Sequence, residues 1–393
     1  MTTELMDLPA KGAAPTGITE HISVDDHLIE PPDLWIKRLP KKFVEQAPRV
    51  ERVAPRHDGW VFQDETEPLF PTGSRRLDNR IAIENSFEEM RAGCYDPVAR
   101  LEDMDADHVL AALCFPSMSG FSGTKFSACK DKELGLACIQ AYNDFLLEEW
   151  VPSAPGRYIP LILIPLWDTS LAVQEIERSI PKGARAISFS EDPYRQGFPS
   201  LHDTSGFWDP VFGLAEETRM PLCMHMGGSS QILAHREDRP WFTKHAMCYM
   251  NSELSLADWL TSDQFVRFPN LKICISEGGI GWIPHLLQHL DGMLDLYPDW
   301  GGRDKRERPS TYFRQNVYGC FIEDAVGTRL LDVIGVDNVM AETDYPHGDS
   351  TWPHSHERLL EQIGYLPYED QYKIARGNAE RVFNFKPSAI GHR

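Results

Sequence analysis

Short apolar runs alternate along this chain with stretches of helical periodicity, starting near residue 22. The runs are rich in β-branched residues and have the length of buried strands, whereas the segments between them repeat apolar residues at helical spacing. This alternation is typical of a parallel α/β fold. The predicted strands are Ile22–His27, Val109–Pro116, Tyr158–Pro165, Ala184–Ser190, Pro221–His225, Leu271–Glu277, Asn316–Phe321 and Asn338–Asp344.

Eight strands joined by helices predict a closed, TIM-like (β/α)8 barrel of the α/β class, with functional groups just beyond the C-terminal ends of the strands. We expect one barrel domain over residues 21–386, a flexible N-terminal tail over 1–20 and a C-terminal tail over 387–393. Residues 31–95 interrupt the pattern, being rich in proline, arginine and aromatic residues without clear periodicity. Because long loops are often functional, they predict a lid-like insertion over the barrel mouth, although a remote surface insertion remains open.

The aromatic and basic residues of this insertion allow two interpretations. They either shape a pocket for an apolar acid or pack the lid onto the barrel, and the sequence does not select between these. The residues are Trp35, Trp60, Phe62, Phe70, Arg75, Arg76 and Arg80.

Composition narrows the class of protein. The 393 residues are 42% hydrophobic and 25% charged, enough for a barrel-sized core, and the formal charge of -20 argues against a nucleic-acid partner. No apolar run approaches the roughly 20 residues that span a bilayer, and residues 1–20 lack the pattern of a signal peptide. We therefore expect a cytoplasmic protein with no membrane partner, whose eight scattered cysteines are buried thiols.

Charged residues close several of the predicted strands. Asp25 and His27 share one face of the first strand because side chains alternate, and Glu30 follows. The remaining strand-end residues are Glu191, His225, Glu277 and Asp344. A charge that ends a buried strand costs several kcal/mol unless it is paired or metal-bound, so the set predicts a metal site. A structural hydrogen bond remains open for Asp25 with His27, and a loop or capping role for Glu191.

Three histidines follow Asp344 in the segment DYPHGDSTWPHS. His347, His354 and His356 could supply another ligand, a proton shuttle or support for a ligand, or could lie solvated in the loop.

These motifs resemble the amidohydrolase superfamily, in the branch that includes aminocarboxymuconate-semialdehyde decarboxylase and the resorcylate decarboxylases. The resemblance runs from about Ile22 to Phe385 and rests on the D-x-H of Asp25 and His27, on His225, on TDYP with Asp344 and on KIARGNAERVF. It implies a catalytic metal, usually zinc or manganese, that activates water or holds a substrate carboxylate. Two departures stand out, since Asp25 replaces the first histidine of the family's H-x-H and Glu277 replaces the strand-six histidine of the decarboxylases.

The predicted site therefore carries five carboxylates against two imidazoles, a balance that suits a pair of iron or manganese ions. Here the chain resembles a subset of dinuclear hydroxylases, including the platensimycin-pathway hydroxylase and the α-aminoisobutyrate hydroxylase. That resemblance implies two divalent ions (Fe/Fe or Mn/Fe), O2 and an electron donor. We accordingly expect an oxygen-dependent hydroxylase that acts on an unactivated C–H bond of a small organic acid or natural-product intermediate, with Glu191 as a candidate bridge.

Two alternatives stay open. One is a hydrolase or non-oxidative decarboxylase that uses zinc or manganese, in which Asp344 accepts a proton from metal-activated water and His347 is a second candidate catalytic residue. The other is a barrel that has lost catalysis and supports a partner subunit. The family also suggests a homo-oligomer or pairing with a homologous subunit.

Overall fold

Parallel strands form the wall of a barrel in the computed structural model, which describes residues 17–69, 86–297 and 307–389. Each of the eight predicted strands is found, and the predicted fold class is confirmed. The strands are β1 (His21–Leu28), β2 (Arg49–Ala54), β3 (His57–Phe62), β4 (Glu65–Pro68), β5 (Val109–Pro116), β6 (Tyr158–Ile159), β7 (Leu161–Ile162), β8 (Ala186–Phe189), β9 (Leu222–His225), β10 (Ile273–Ser276), β11 (Val317–Phe321) and β12 (Val339–Ala341).

The predicted third strand is divided at Pro160 into β6 and β7. Proline has no N–H to donate to a ladder, so pairing changes partner at this residue: β6 pairs with β5, and β7 pairs with β8. The ladder then runs in order from β7 to β12. The ring closes where Asp344 N donates to Asp25 O (2.8 Å) and His27 N donates to Tyr345 O (2.7 Å).

Helices surround this wall. Asp168 illustrates how they begin, because its carboxylate accepts hydrogen bonds from Ser170 N and Leu171 N and so caps the first turn of the helix Thr169–Ser179. The helices are α1 (Leu34–Arg38), α2 (Ala99–Ala106), α3 (Thr124–Ala128), α4 (Lys132–Phe145), α5 (Thr169–Ser179), α6 (Asp209–Thr218), α7 (Trp241–Ala246), α8 (Met250–Thr261), α9 (Gln264–Arg267), α10 (Ile283–Leu296), α11 (Pro309–Asn316), α12 (Leu331–Ile334), α13 (Ser355–Ile363), α14 (Tyr368–Tyr372) and α15 (Asn378–Val382).

The core fills both the barrel interior and the layer between strands and helices. All eight residues of β1 are buried, as expected for a strand covered on both faces. The eight cysteines are buried thiols, as predicted. Within the part of the chain that the structure describes, no helix combines the length and apolar character needed to cross a bilayer.

The insertion over 31–95 contains structure that the sequence did not reveal. Strands β2, β3 and β4 form an antiparallel sheet that packs beside α1. Trp35 lies 5.4 Å from Trp60 and 5.5 Å from Phe126 of α3 between ring centroids, and Phe62 is buried in the same cluster. These aromatic residues therefore pack the insertion onto α3 and α4. Residues 1–16, 70–85, 298–306 and 390–393 lie outside the described residues, and with them Phe70, Arg75, Arg76 and Arg80.

Candidate metal centre

Acidic and imidazole side chains meet at the C-terminal mouth of the barrel. Asp25 and His27 belong to β1, His225 ends β9, Glu277 follows β10 and Asp344 follows β12. Their ligand atoms, with those of two neighbours, form three overlapping groups in which all atoms lie within 4.8 Å of one another. The groups are Asp25, His27, His225 and Glu277; His27, Asp344 and His347; and Glu277, Asp344 and Asp349.

The two central imidazoles have a spacing that suits a shared ion. His27 Nε2 and His225 Nε2 are 3.1 Å apart, close to the roughly 3.3 Å that separates two nitrogens bound tetrahedrally to one ion. His225 Nδ1 lies 2.7 Å from Met226 O, which can only accept a hydrogen bond. Nδ1 therefore carries the proton, and the lone pair of Nε2 faces the cluster.

Two carboxylates in the cluster are deeply buried and accept no backbone or hydroxyl hydrogen bond among the described residues. Asp25 and Asp344 are 0% exposed, and none of their four carboxylate oxygens accepts a hydrogen bond among the described residues. Burial, together with Glu342 and Glu277 nearby, raises the pKa of Asp25 well above its usual range. Burial and the neighbouring His347 and His225 lower the pKa of His27. Such a site is unfavourable when ionised and empty, so its donor set fits a bound cation.

The backbone is strained at two of the strand ends. Glu277 and Asp344 both have φ of +54°, a left-handed conformation that is uncommon for residues other than glycine. Asp344 N donates to Asp25 O, whereas Glu277 N donates to the carboxylate of Glu342 at 3.1 and 3.2 Å. Strain of this kind is often found where a side chain must point into a functional site.

A second buried network lies behind the cluster, on the opposite face of β1. Asp26 pairs with Arg100 Nη2 at 3.0 Å and accepts hydrogen bonds from Ser23 Oγ and Thr343 Oγ1. Arg100 Nη1 also donates to His27 O at 2.7 Å. This network holds the backbone on which the candidate ligands stand.

Two predicted ligands lie apart from the cluster. Glu30 accepts hydrogen bonds from the backbone N–H groups of residues 117–119 and from Ser119 Oγ. Glu191 accepts from Ser229 N at 2.5 Å, Ser229 Oγ at 2.7 Å and Asn251 Nδ2 at 3.1 Å. Neither belongs to a group of close ligand atoms among the described residues. The geometry therefore gives both carboxylates a loop-holding role, and the predicted bridge at Glu191 has no support from it.

The three histidines after β12 separate. His347 stacks on His27 with ring centroids 3.6 Å apart, and its Nδ1 is 2.9 Å from Asp344 Oδ1. His354 is exposed and lies 3.0 Å from Glu357. His356 contacts His21 at the N-terminal end of β1, at the other end of the barrel. Of these three, His347 is the one in the cluster.

Two further carboxylates beside the cluster, Asp349 and Glu342, are not among the ligands predicted from the sequence. Glu342 shares the alternation of Asp344, which was an available signal, while Asp349 reaches the cluster through a loop. A cleft of about 440 Å³ opens beside these residues. Its lining includes Glu277, Glu342, Asp349, His245, Tyr249 and Trp282.

The chain is similar to known proteins both in sequence and in structure. The family model described as Amidohydrolase matches residues 30–385. The 2-amino-3-carboxymuconate-6-semialdehyde decarboxylase of Dictyostelium discoideum is 25% identical over 266 residues, which cover 66% of this chain and 69% of that protein.

Two solved structures share the architecture. An amidohydrolase from Mycobacterium avium subsp. paratuberculosis K-10 superposes with a TM-score of 0.74 at 23% identity, covering 94% of this chain and 98% of the other. A dihydroxybenzoic acid decarboxylase from Polaromonas sp. JS666, with bound manganese and the inhibitor 2-nitroresorcinol, gives a TM-score of 0.63 at 16% identity, covering 96% and 100%. Likeness at these identities establishes the fold.

Proposed function

We propose that this chain, which belongs to the amidohydrolase family and is a metal-dependent enzyme of that fold, decarboxylates a small organic acid without an oxidant. The relatives that support this reaction are decarboxylases, so the alternative from sequence analysis is better supported than the oxygen-dependent hydroxylase. The observation that carries the proposal is the buried pair Asp25 and Asp344, whose carboxylates accept no backbone or hydroxyl hydrogen bond among the described residues, beside two imidazole nitrogens 3.1 Å apart.

The cluster itself indicates which residues would hold an ion. His27 and His225 offer nitrogens, and Asp25, Glu277 and Asp344 offer carboxylate oxygens. This mixed donor set suits zinc, manganese or iron, and manganese has the additional support of the Polaromonas structure. A divalent ion bound there would act as a Lewis acid that holds a substrate carboxylate and stabilises developing negative charge.

Decarboxylation replaces the C–CO2 bond with a C–H bond, so the site must deliver a proton to the carbon that loses carbon dioxide. Asp344 Oδ1 lies 2.9 Å from His347 Nδ1, within reach of proton transfer. We assign the proton donor to this pair. The cleft of about 440 Å³ is of the size that holds small ligands, and Tyr249 and Trp282 give it aromatic walls.

The test is carbon dioxide release from a panel of hydroxybenzoates and unsaturated carboxylic acids. Manganese-loaded and zinc-loaded protein would be assayed anaerobically without a reductant. We expect stoichiometric carbon dioxide and the protonated product, and His347→Gln should reduce turnover while leaving metal content unchanged. Product that forms only with oxygen and a reductant would contradict decarboxylation.

An oxygen-dependent hydroxylase is the second candidate, and the overlap of the three ligand groups favours it. The group of Glu277, Asp344 and Asp349 consists of carboxylates and shares Glu277 with the group that contains His225. The two groups together offer enough ligand atoms for two ions. Glu277 also stands where the resemblance places a histidine in the decarboxylases. Two iron or manganese ions per chain, together with oxygen uptake that depends on substrate and reductant, would identify this activity.

Self-association or pairing with a homologous subunit stays a prediction, to be measured by light scattering.

A further inference from the structure

Glu342 lies beside the cluster and contacts Glu277, but it does not belong to any of the three ligand groups. It follows β12 directly, is 4% exposed and lines the cleft. Its backbone N–H donates to Phe321 O on the neighbouring strand, which fixes the main chain at this point. The carboxylate is thus held between the ends of β10 and β12.

Both carboxylate oxygens of Glu342 face the same donor. Glu277 N lies 3.1 Å from Oε1 and 3.2 Å from Oε2. Glu277 has φ of +54°, which costs an L-residue roughly 1–2 kcal/mol in the absence of compensation. A hydrogen bond to a carboxylate is among the stronger ones in proteins, so it can hold this backbone in place.

The left-handed backbone aims the side chain of Glu277. Its Oε2 lies 2.9 Å from His225 Nε2, inside the group that includes Asp25 and His27. Asp344 has the same φ, but its N–H donates to a main-chain carbonyl, that of Asp25. Among these two strained residues, Glu277 is therefore the one whose position depends on a side chain.

We propose that Glu342 is a positioning residue that holds Glu277 against His225 and thereby sets the affinity of the cluster for a divalent ion without binding the ion itself. This inference rests on the metal-dependent character in the proposed function and is independent of which reaction the enzyme catalyses. Partners that orient a ligand typically change metal affinity by about 10–100-fold when they are removed.

The test compares two substitutions of similar volume. Glu342→Met removes the acceptor, whereas Glu342→Gln keeps one oxygen in reach of Glu277 N. With manganese alone as the probe, we expect Glu342→Met to weaken binding about 10–100-fold and Glu342→Gln to bind nearly as the unaltered protein does. Glu323→Ala removes another acidic residue of the cleft and should leave the affinity unchanged, which controls for loss of negative charge.

A double-mutant cycle separates positioning from direct binding. If Glu342 acts through Glu277, the variant Glu277→Ala/Glu342→Met should bind manganese no more weakly than Glu277→Ala alone. Additive losses would overturn the proposal, because they would mean that Glu342 contacts the ion independently.

Hydrogen exchange of the metal-free protein provides a readout that needs neither metal nor activity. The amide of Glu277 should exchange about tenfold faster in Glu342→Met and at nearly the normal rate in Glu342→Gln. Glu342→Ala repeats the loss of the acceptor with a smaller side chain, should the methionine variant fail to fold. Equal protection in all variants would overturn the proposal. If the exchange effects are seen but the unaltered protein decarboxylates none of the acids tested, the proposed function alone is contradicted.

Discussion

Replacing Arg100 with leucine tests how strongly the network behind the cluster supports the fold. Arg100 is 0% exposed and donates to Asp26 Oδ2 at 3.0 Å, His27 O at 2.7 Å and Tyr345 O at 3.1 Å. Burial raises the pKa of Asp26 above its ordinary value, although the guanidinium of Arg100 acts in the opposite direction. Leucine would leave a buried carboxylate without its counter-ion, and breaking a buried pair in this way costs about 3–5 kcal/mol.

This loss converts into a measurable shift in Tm. At about 2.1 cal/mol/K per residue, the entropy of unfolding of the 393-residue chain is about 0.8 kcal/mol/K. We therefore expect Arg100→Leu to lower Tm by about 4–6 °C, measured by circular dichroism or calorimetry on metal-free protein.

Two controls identify the cause. Arg52→Leu breaks a partly exposed pair with Asp58 and should lower Tm by about 1 °C or less. Asp26→Asn/Arg100→Leu removes both charges and should recover part of the loss, because no unpaired buried carboxylate remains. A shift for Arg100→Leu as small as that of Arg52→Leu, or a double variant less stable than the single one, would refute the reasoning.

Three further outcomes are expected. His225→Ala and Asp344→Ala should each abolish metal content in elemental analysis while circular dichroism shows a folded barrel; full metal in both would mean that these are the wrong ligands. Burial beside two other imidazoles lowers the pKa of His21 from 6.5 to about 3, so its neutral form stabilises the fold above about pH 6.5, and this contribution is lost as pH falls toward 3. Unfolding midpoints should thus drop less in His21→Gln than in the unaltered protein on acidification, and equal drops would contradict this. Glu30→Gln should retain full metal, since the loop at 117–119 already occupies its oxygens, and a large loss of metal would return Glu30 to the ligands.

The strands could be located from the sequence because each is a buried apolar run bounded by a turn signal. The run Val109–Pro116 matches β5 at both ends. The division at Pro160 follows from the missing N–H and was present in the sequence, but the choice of partner on each side depends on distant strands. The antiparallel sheet of β2–β4 was missed because its outer face is exposed and charged, which hides the alternation around Trp60 and Phe62.

The site was harder to predict than the fold, because a carboxylate that binds a metal and a carboxylate that only holds a loop look the same in the sequence. Asp25, His27, His225, Glu277 and Asp344 were all brought together by the rule that functional side chains follow barrel strands. The same rule also selected Glu30 and Glu191, which the structure places outside the close groups.

What separates the two kinds of carboxylate is the supply of hydrogen-bond donors. Glu30 and Glu191 are each met by backbone N–H groups and a serine hydroxyl, so their charge is already compensated and a cation would compete with those donors. Asp25 and Asp344 are equally buried, but they face imidazole nitrogens and accept no backbone or hydroxyl hydrogen bond among the described residues. A bound cation therefore competes with no such donor for their oxygens. The donors to Glu30 and Glu191 come from loops far away in sequence, at residues 117–119 and at Ser229. A strand-end carboxylate is therefore a ligand or a support according to the loop that folds over it, which spacing along the chain does not encode.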